Sequence, residues 1–408
     1  MNDTLSASQV LMARQPIFDA HQRVVAYELL YRTEDNTENA VFRGTQATSE
    51  VLLNAYTSIC DGGEVKRVPA FINLTYDIIV DGNIPELPRK QIVLELLEDA
   101  HVDDKFIEGV RNLVKEGYRI ALDDFVYSPA YDPLLELAQI VKVDVMEHSL
   151  EEIAQLIKIV KPFKVTLLAE KIENHEMLEQ CMKMGFKLFQ GHFLCKPKLI
   201  KGRKITSNQV TLLQLVQALQ NPEAKPETLE SLIIQDPVLT YKLLRIVNSA
   251  AYSLIRKVES ISEAIVLLGI PQVRKWATLI AMSANADKPE ELSRTLLIRG
   301  RMSEKVAEHY KRTNAPSYFM AGMMSGLHAL LDLEQHKMLE EVPLGDDIKE
   351  AISESKGDIG KVLQNVIHYE AGDWDLLSSD FDGDVYEAAY REAIVWTKES
   401  MQAMVEMG

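Results

Sequence analysis

Cysteine is scarce in this chain: three in 408 residues, Cys60, Cys181 and Cys195, with none of the close spacing that a metal knuckle requires. That excludes a disulfide scaffold and points to ordinary thiols in a reducing compartment. Long apolar runs are also missing. No stretch approaches the length that crosses a bilayer as a helix, and the polar start, Met1 to Val10, has no basic-then-apolar leader. A soluble cytoplasmic protein is therefore expected, with no membrane partner. Positive charge is in deficit: 44 Lys and Arg against 61 Asp and Glu leave a net −17. Such a balance repels a polyanion, so direct nucleic-acid binding is not expected. Finally, no glycine-rich loop follows any β-like run, which removes the main sign of a dinucleotide-binding open sheet.

What is present divides into two halves. Up to about residue 200, short β-like runs (24–31, 70–75, 92–97, 120–125, 140–145, 165–170, 188–193) alternate with helical patterns (46–59, 102–116, 133–138, 150–160, 175–184). This alternation predicts a mainly parallel sheet with crossover helices. So many strands in one domain favour a closed, TIM-like α/β barrel. From about residue 201 to 408 helix follows helix. Ser260 and Glu263 have capping-box spacing, Gly269 suits a helix stop, and Asp236-Pro237 suits a helix start. The expected architecture is thus a barrel, residues 1–200, followed by an all-α domain, residues 201–408.

The most informative stretch is Arg119-Ile120-Ala121-Leu122-Asp123-Asp124-Phe125. As a strand it puts Arg119, Ala121 and Asp123 on one face and Ile120, Leu122 and Asp124 on the other. Two adjacent carboxylates at a strand end are costly to bury without a cation, and hard divalent ions take carboxylate oxygens. The same placement recurs. Glu28, Asn73, Glu95, Asp144 with Lys142, Glu170 and Gln190 all fall towards the ends of β-like runs, where α/β barrels carry their chemistry. Polar groups converging from separate strands need partners, and one or two cations would supply them.

These residues carry a resemblance. The series Gln15-Pro16-Ile17, Glu28-x-Leu30-x-Arg32, Asn73, Glu95, Asp123-Asp124-Phe125, Lys142-x-Asp144, Glu170-x-x-Glu173 and Gln190-Gly191 resembles the EAL family of bacterial cyclic di-GMP phosphodiesterases, over roughly Met12 to Pro197. The resemblance implies Glu28, Asn73, Glu95 and Asp123 as ligands of Mg²⁺ or Mn²⁺. It implies Asp124 as a holder of a second metal, Lys142 as the residue that orients the attacking water, and Glu170 as a further acid beside the metals. Gln15, Arg32 and Gln190 would touch substrate or water, and Glu98 would anchor the loop after the aspartates. A homodimer through the barrel is the implied assembly. Three positions depart from the family pattern. Glu-Ala-Leu is Glu28-Leu29-Leu30 here. The glycine-rich segment after Asp-Asp-Phe is Val126-Tyr127-Ser128-Pro129-Ala130. Lys171 replaces the glycine that usually follows the acid at 170.

The second half resembles the HDOD domain, through Ile234-Gln235-Asp236-Pro237-Val238-Leu239, Leu243 to Ala250, Ile261 and Ala264-Ile265-x-x-Leu268-Gly269. HDOD domains are outlying relatives of metal-dependent HD phosphohydrolases. Where an HD enzyme carries His-Asp, this chain has Ser325-Gly326, which are poor metal ligands. His328 is read as a helix histidine. The resemblance therefore implies a non-catalytic domain that contacts an unidentified signalling partner. Two function classes stay open at this point. One is a metal-dependent phosphodiesterase regulated by the helical domain, its activity weakened or made conditional by the altered loop. The other is a catalytically inactive cyclic di-GMP receptor or interaction scaffold.

Overall fold

The computed structural model describes residues 10–33, 68–82, 89–97, 101–195, 216–219, 221, 225–234, 239–240, 243–244, 247–248, 258, 260–283, 288–342 and 344–405. They fall into two compact units. The first runs to Phe193 and includes Glu370–Trp374; the second comprises Leu194–Tyr369 and the chain from Asp375. The expected junction and the expected helix over 46–59 lie outside the described residues.

The first unit is a closed eight-stranded barrel in chain order: β1 (Val10–Asp19), β2 (Val24–Thr33), β3 (Ala70–Leu74), β4 (Ile92–Leu96), β5 (Arg119–Leu122), β6 (Ile140–Asp144), β7 (Thr166–Glu170) and β8 (Leu188–Gln190). Seven of these runs are legible as alternating or continuous apolar segments. The strand β1 was not among those expected. It pairs antiparallel with β2 on one side and with β8 on the other, so it closes the barrel. The remaining neighbours are parallel. A tight turn joins β1 to β2. Asp19 accepts hydrogen bonds from the backbone of His21 (2.8 Å) and Arg23 (3.0 Å), and Gln22 takes a left-handed φ of 57°.

Flanking helices follow the strands. They include α1 (Tyr76–Asp81), α2 (Asp104–Glu116), α3 (Leu150–Val160) and α4 (His175–Met184). Their starts are chemically explicit. Asp103 caps α2 through Phe106 N, Asn174 caps α4 through Met177 N, and Ser149 with Glu152 forms a capping box on α3. Inside the barrel one apolar plug is built from Ile17, Ala26, Phe71, Val93, Ala121, Ile140 and Leu168, with Leu188 packed against it. Each strand contributes one residue to this plug. Because side chains alternate along a strand, the residue two positions further along points into the barrel again, one layer nearer its end.

The second unit is helical: α5 (Pro226–Ile234), α6 (Ile261–Leu268), α7 (Ile270–Ser283), α8 (Glu290–His309), α9 (Ala315–Met324), α10 (Leu327–Leu331), α11 (Gln335–Glu341), α12 (Asp346–Glu354), α13 (Gly357–Ala371) and α14 (Gly383–Val405). Ser260 accepts from Glu263 N, as its spacing predicts. The apolar stretch over 319–331 is not one helix: it breaks at Ser325-Gly326 into α9 and α10. Helices α8 and α9 meet almost backbone to backbone. A Cβ on Gly322 would lie 2.8 Å from Gly300 Cα, so glycine is required there. Asn248 accepts from Val258 N at 2.7 Å and donates to Val258 O at 2.8 Å, tying two chain segments together. Its neighbours Ser249 and Ala250 lie outside the described residues. Met302, Met323 and Met324 are core filler rather than an adaptable surface.

One buried charge in this unit has a measurable signature. Lys275 is 5% exposed; its Nζ lies 2.6 Å from Glu304 and 3.6 Å from the centroid of the Phe319 ring. Burial pulls its pKa from 10.5 to about 8, against the attraction of Glu304. Above 10.5 the lysine is neutral in both folded and unfolded chains. As pH falls through about 8, the folded state must charge a buried amine, and that contribution to stability is lost. Stability of the helical unit is therefore expected to rise between pH 8 and 10, and this rise should vanish in Lys275→Met. Urea denaturation of both proteins across that window measures it.

Candidate metal centre

The second inward layer of the barrel carries the site. Counting two residues on from the plug gives Glu28 from Ala26, Asn73 from Phe71, Glu95 from Val93, Asp123 from Ala121, Lys142 from Ile140, Glu170 from Leu168 and Gln190 from Leu188. The antiparallel β1 is counted backwards, from Ile17 to Gln15, and Gln15 pairs in register with Glu28. All eight strands thus deliver one polar side chain to one layer. The expected convergence of strand-end residues is a direct result of the two-residue period.

At the centre lies Lys142, fully buried. Its ammonium is 2.7 Å from Glu95 Oε1, 2.7 Å from Asp123 Oδ1, 2.9 Å from Glu170 Oε1 and 3.3 Å from Glu28 Oε2. Burial pulls its pKa down. The attraction of Asp123, Glu170, Glu28 and Glu95 overcomes this and holds its pKa well above the ordinary range. The acids respond oppositely. Burial, then repulsion from Glu28, pushes Glu95 well above the usual carboxylate range; burial also pushes Glu170 up, against the pull of Lys142. With all groups ionised, four carboxylates and one ammonium leave three uncompensated negative charges in this pocket.

The amides order the acids. Gln190 Nε2 donates to Glu28 Oε2 (2.6 Å) and to Gln15 Oε1 (2.6 Å), and Asn73 Nδ2 approaches Glu28 Oε1 at 3.4 Å. Gln190 is itself placed by Gly191, whose φ is 141°. A Cβ there would lie 2.3 Å from Ile172 N, so no other residue fits.

These residues fit a divalent cation. One carboxylate oxygen from each of Glu28, Glu95 and Asp123 lies within 4.8 Å of the others. The donors are hard oxygens, the class that Mg²⁺, Mn²⁺ and Ca²⁺ take. Glu95 Oε2 is a buried acceptor with no hydrogen-bond donor, which such an ion would satisfy; Glu170 Oε2, outside the group of three, is another.

The aspartate pair is placed differently from expectation. Strand β5 ends at Leu122, not at Phe125. Asp123 N still bonds Leu96 O (3.0 Å), but Asp124 takes φ 37° and turns the chain out of the sheet. Asp124 therefore leaves the carboxylate cluster and faces Lys171 Nζ at 4.0 Å. Val126, in the altered loop, is exposed and keeps an ordinary negative φ; the left-handed residue of this turn is Asp124. Strand β8 likewise stops at Gln190, because Gly191 breaks the ladder before a short 3₁₀ turn at His192–Cys195. The side chain of Arg32 and all of Glu98 lie outside the described residues.

Sequence reasoning missed Lys171 as a participant and gave Lys142 a narrower role than it has. Lys171 takes φ 55°, an angle that costs a residue with a Cβ about 1 kcal/mol. Its Nζ is 2.5 Å from Asp144 Oδ2. The signal that could have found it was the absent glycine: a side chain kept where the backbone prefers none has a reason to be there.

In the helical unit, Ser325 Oγ donates to Gly322 O (2.7 Å) and accepts from the buried Arg299 Nη1 (2.9 Å). A guanidinium at this position repels a cation. Among the described residues, the Glu28, Glu95 and Asp123 group is the cluster with metal-ligand geometry, and none lies in the helical unit. No helix among them is long and apolar enough to cross a membrane.

An acid-rich layer at the end of a closed, mainly parallel barrel, followed by a helical unit with no metal-ligand cluster among its described residues, defines the class, and sequence comparison makes it specific. Residues 69–197 match the EAL domain and residues 205–372 the HDOD domain. The chain is 33% identical over 407 residues to the cyclic di-GMP phosphodiesterase CdgJ of Vibrio cholerae, covering 97% of this chain and 94% of that protein. It is 30% identical over 407 residues to YuxH of Bacillus subtilis, covering 97% and 100%. The chain belongs to the family of two-domain proteins that join an EAL domain to an HDOD domain. Among solved structures, the EAL enzyme Bd1971 bound to cAMP and cyclic di-GMP aligns at 17% identity and TM-score 0.37, over 45% of this chain and 61% of that one. A standalone EAL protein from Vibrio cholerae O395 bound to cyclic di-GMP aligns at 20% identity and TM-score 0.34, over 45% and 90%.

Proposed function

We propose that this chain is a bacterial cyclic di-GMP signalling protein whose barrel hydrolyses the dinucleotide with a divalent cation, Mg²⁺ or Mn²⁺, and whose helical domain is a non-catalytic contact for a signalling partner. The observation that carries this reading is the layer itself: three carboxylates at metal-ligand spacing beside a fully buried lysine and two ordering amides. In this reading the domains span residues 1–200 and 201–408, the barrel forms the homodimer that its family resemblance implies, and the protein works in the cytoplasm.

Glu28, Glu95 and Asp123, with the Asn73 amide oxygen, would hold the ion. When bound, it supplies an acidified water and neutralises charge on the phosphodiester. The chain's own groups do the rest. Lys142 keeps its proton and donates towards the carboxylates and an incoming water, which fixes the direction of attack. Glu170, pushed up by burial, has an open Oε2 that accepts a proton from that water. Gln190 clamps Glu28 so that its second oxygen keeps one orientation. The family resemblance gives Arg32 the phosphate contact, through its fork of donors.

The test is turnover. Purified full-length protein with cyclic di-GMP and Mn²⁺ or Mg²⁺ should yield the linear dinucleotide, and Glu28→Ala and Asp123→Ala should each lower the rate by on the order of 10²-fold or more. Chromatography of the nucleotides reads this. Turnover in both variants equal to that of the parent protein would refute the assignment. Binding without turnover in the parent protein would make the barrel a receptor instead.

A further inference from the structure

The rim of the barrel carries a second charged group, one layer above the first. Asp144 lies two residues beyond Lys142 on β6, on the same side of the strand, and is 3% exposed. Its Oδ1 accepts from Met146 N (2.7 Å) and Glu147 N (3.3 Å), so the carboxylate is fixed. Its Oδ2 takes Lys171 Nζ at 2.5 Å, and the same ammonium lies 4.0 Å from Asp124 Oδ2. Both Asp124 and Lys171 reach these positions through left-handed backbone, at φ 37° and 55°. Two carboxylates are thus turned towards one point on the rim, and that point holds a lysine.

We propose that Lys171 takes the place of a second metal cation, so that the site binds one divalent ion per chain instead of a pair. This rests on the reading of Glu28, Glu95 and Asp123 as metal ligands. Two-metal phosphodiesterases clamp both reacting oxygens between ions roughly 3.5–4 Å apart. Here the carboxylates available beside the first cluster are already bridged by an ammonium. In the first cluster four carboxylates face one ammonium and leave negative charge for an ion, whereas here two carboxylates face one ammonium, so a dication at the same point would meet a like charge with little left to balance it. The exchange changes the chemistry in kind. An ammonium neutralises a phosphate oxygen and donates hydrogen bonds, but it does not acidify a water, so this chain keeps charge compensation at the second position and gives up a second source of nucleophile.

Mn²⁺ binding to the metal-stripped full-length chain, without substrate, tests this by calorimetry and electron paramagnetic resonance. The wild-type protein is expected to bind one Mn²⁺ per chain with the spectrum of an isolated ion. Lys171→Gly, which also relieves the left-handed backbone and so preserves folding, is expected to bind two, with the spin-coupled spectrum of a close pair. Lys171→Arg, which retains the charge, is expected to stay at one. A coupled pair in the wild-type protein, one ion in Lys171→Gly, or two in Lys171→Arg each overturns the inference while leaving the first site intact. No bound Mn²⁺ in any of the three proteins overturns the metal reading and this inference with it.

Discussion

Replacing Lys142 with methionine is expected to lower the melting temperature of the metal-free barrel by about 6–20 °C, and Mn²⁺ is expected to recover most of that loss. The reasoning is electrostatic. Lys142 is the sole cation within ion-pair distance of Glu28, Glu95, Asp123 and Glu170 among the described residues. Removing one partner of a buried ion pair typically costs about 3–5 kcal/mol, because the other charge stays buried without compensation. Here several acids lose one shared partner, so the cost falls at the high end unless they take up protons. Methionine keeps the length and apolar stem of lysine and leaves no large void. A divalent ion among the freed carboxylates restores the charge balance, so the variant should gain more from Mn²⁺ than the parent does. Calorimetry with EDTA and with excess Mn²⁺ reads both effects. A shift below about 2 °C without metal, or one that Mn²⁺ leaves unchanged, would refute a shared electrostatic role for the lysine.

Much of the site was legible because a strand repeats every two residues. Once Ala121 is read as inward-facing, Asp123 must face inward too, and the same step leads from Val93 to Glu95 and from Leu168 to Glu170. Pattern also found the chain order of the strands and the helical character of the second half. It did not reveal distances. Four acids and a lysine on separate strands meet only through the curvature and stagger of the closed barrel, and neither is written in any local segment. Hence Lys142 was legible as a residue near a metal and not as the hub of four carboxylates. The first strand was missed for a related reason. Val10–Asp19 carries Arg14, Gln15 and Pro16 in its middle, a composition that weakens a strand reading. Its sheet membership comes from pairing on both sides. The start of the long helix α14 is acidic, a composition that reads as solvated surface. Asp382 Oδ1 instead accepts from Val385 N and caps it.

The departures from the family pattern carried more information than the matches. The altered loop puts Val126 where the family pattern has glycine; Val126 keeps an ordinary negative φ, the left-handed residue of the turn is Asp124, and Glu28, Glu95 and Asp123 still come within 4.8 Å of one another. At Lys171 the backbone keeps the conformation that suits glycine and adds an ammonium to it. One change is thus absorbed by the backbone, and the other introduces a charge beside the acids.

Glu95→Gln should move stability and metal binding in opposite directions. Glu95 is fully buried, and burial and repulsion from Glu28 already push its proton affinity up. Its charge is the one that the metal-free pocket tolerates least. Glutamine has the same shape, is neutral without taking up a proton, and brings an amide that can donate to Glu28 or Asp123. The metal-free variant is therefore expected to be more stable than the parent by about 1–3 kcal/mol, or a few degrees. The same change deletes an anionic ligand, and Mn²⁺ affinity should fall by on the order of 10²-fold or more, with turnover falling alongside it. Paired measurement, calorimetric melting in EDTA and Mn²⁺ titration, separates this from simple damage, because a damaged fold loses both quantities together. If Glu95→Gln melts lower than the parent without metal, the surplus of negative charge is not what strains the pocket, and Lys142 compensates its acids more completely than their number implies. A higher melting point with weakened Mn²⁺ binding would instead show an acid kept for the cation it holds, at a cost to the stability of the barrel around it.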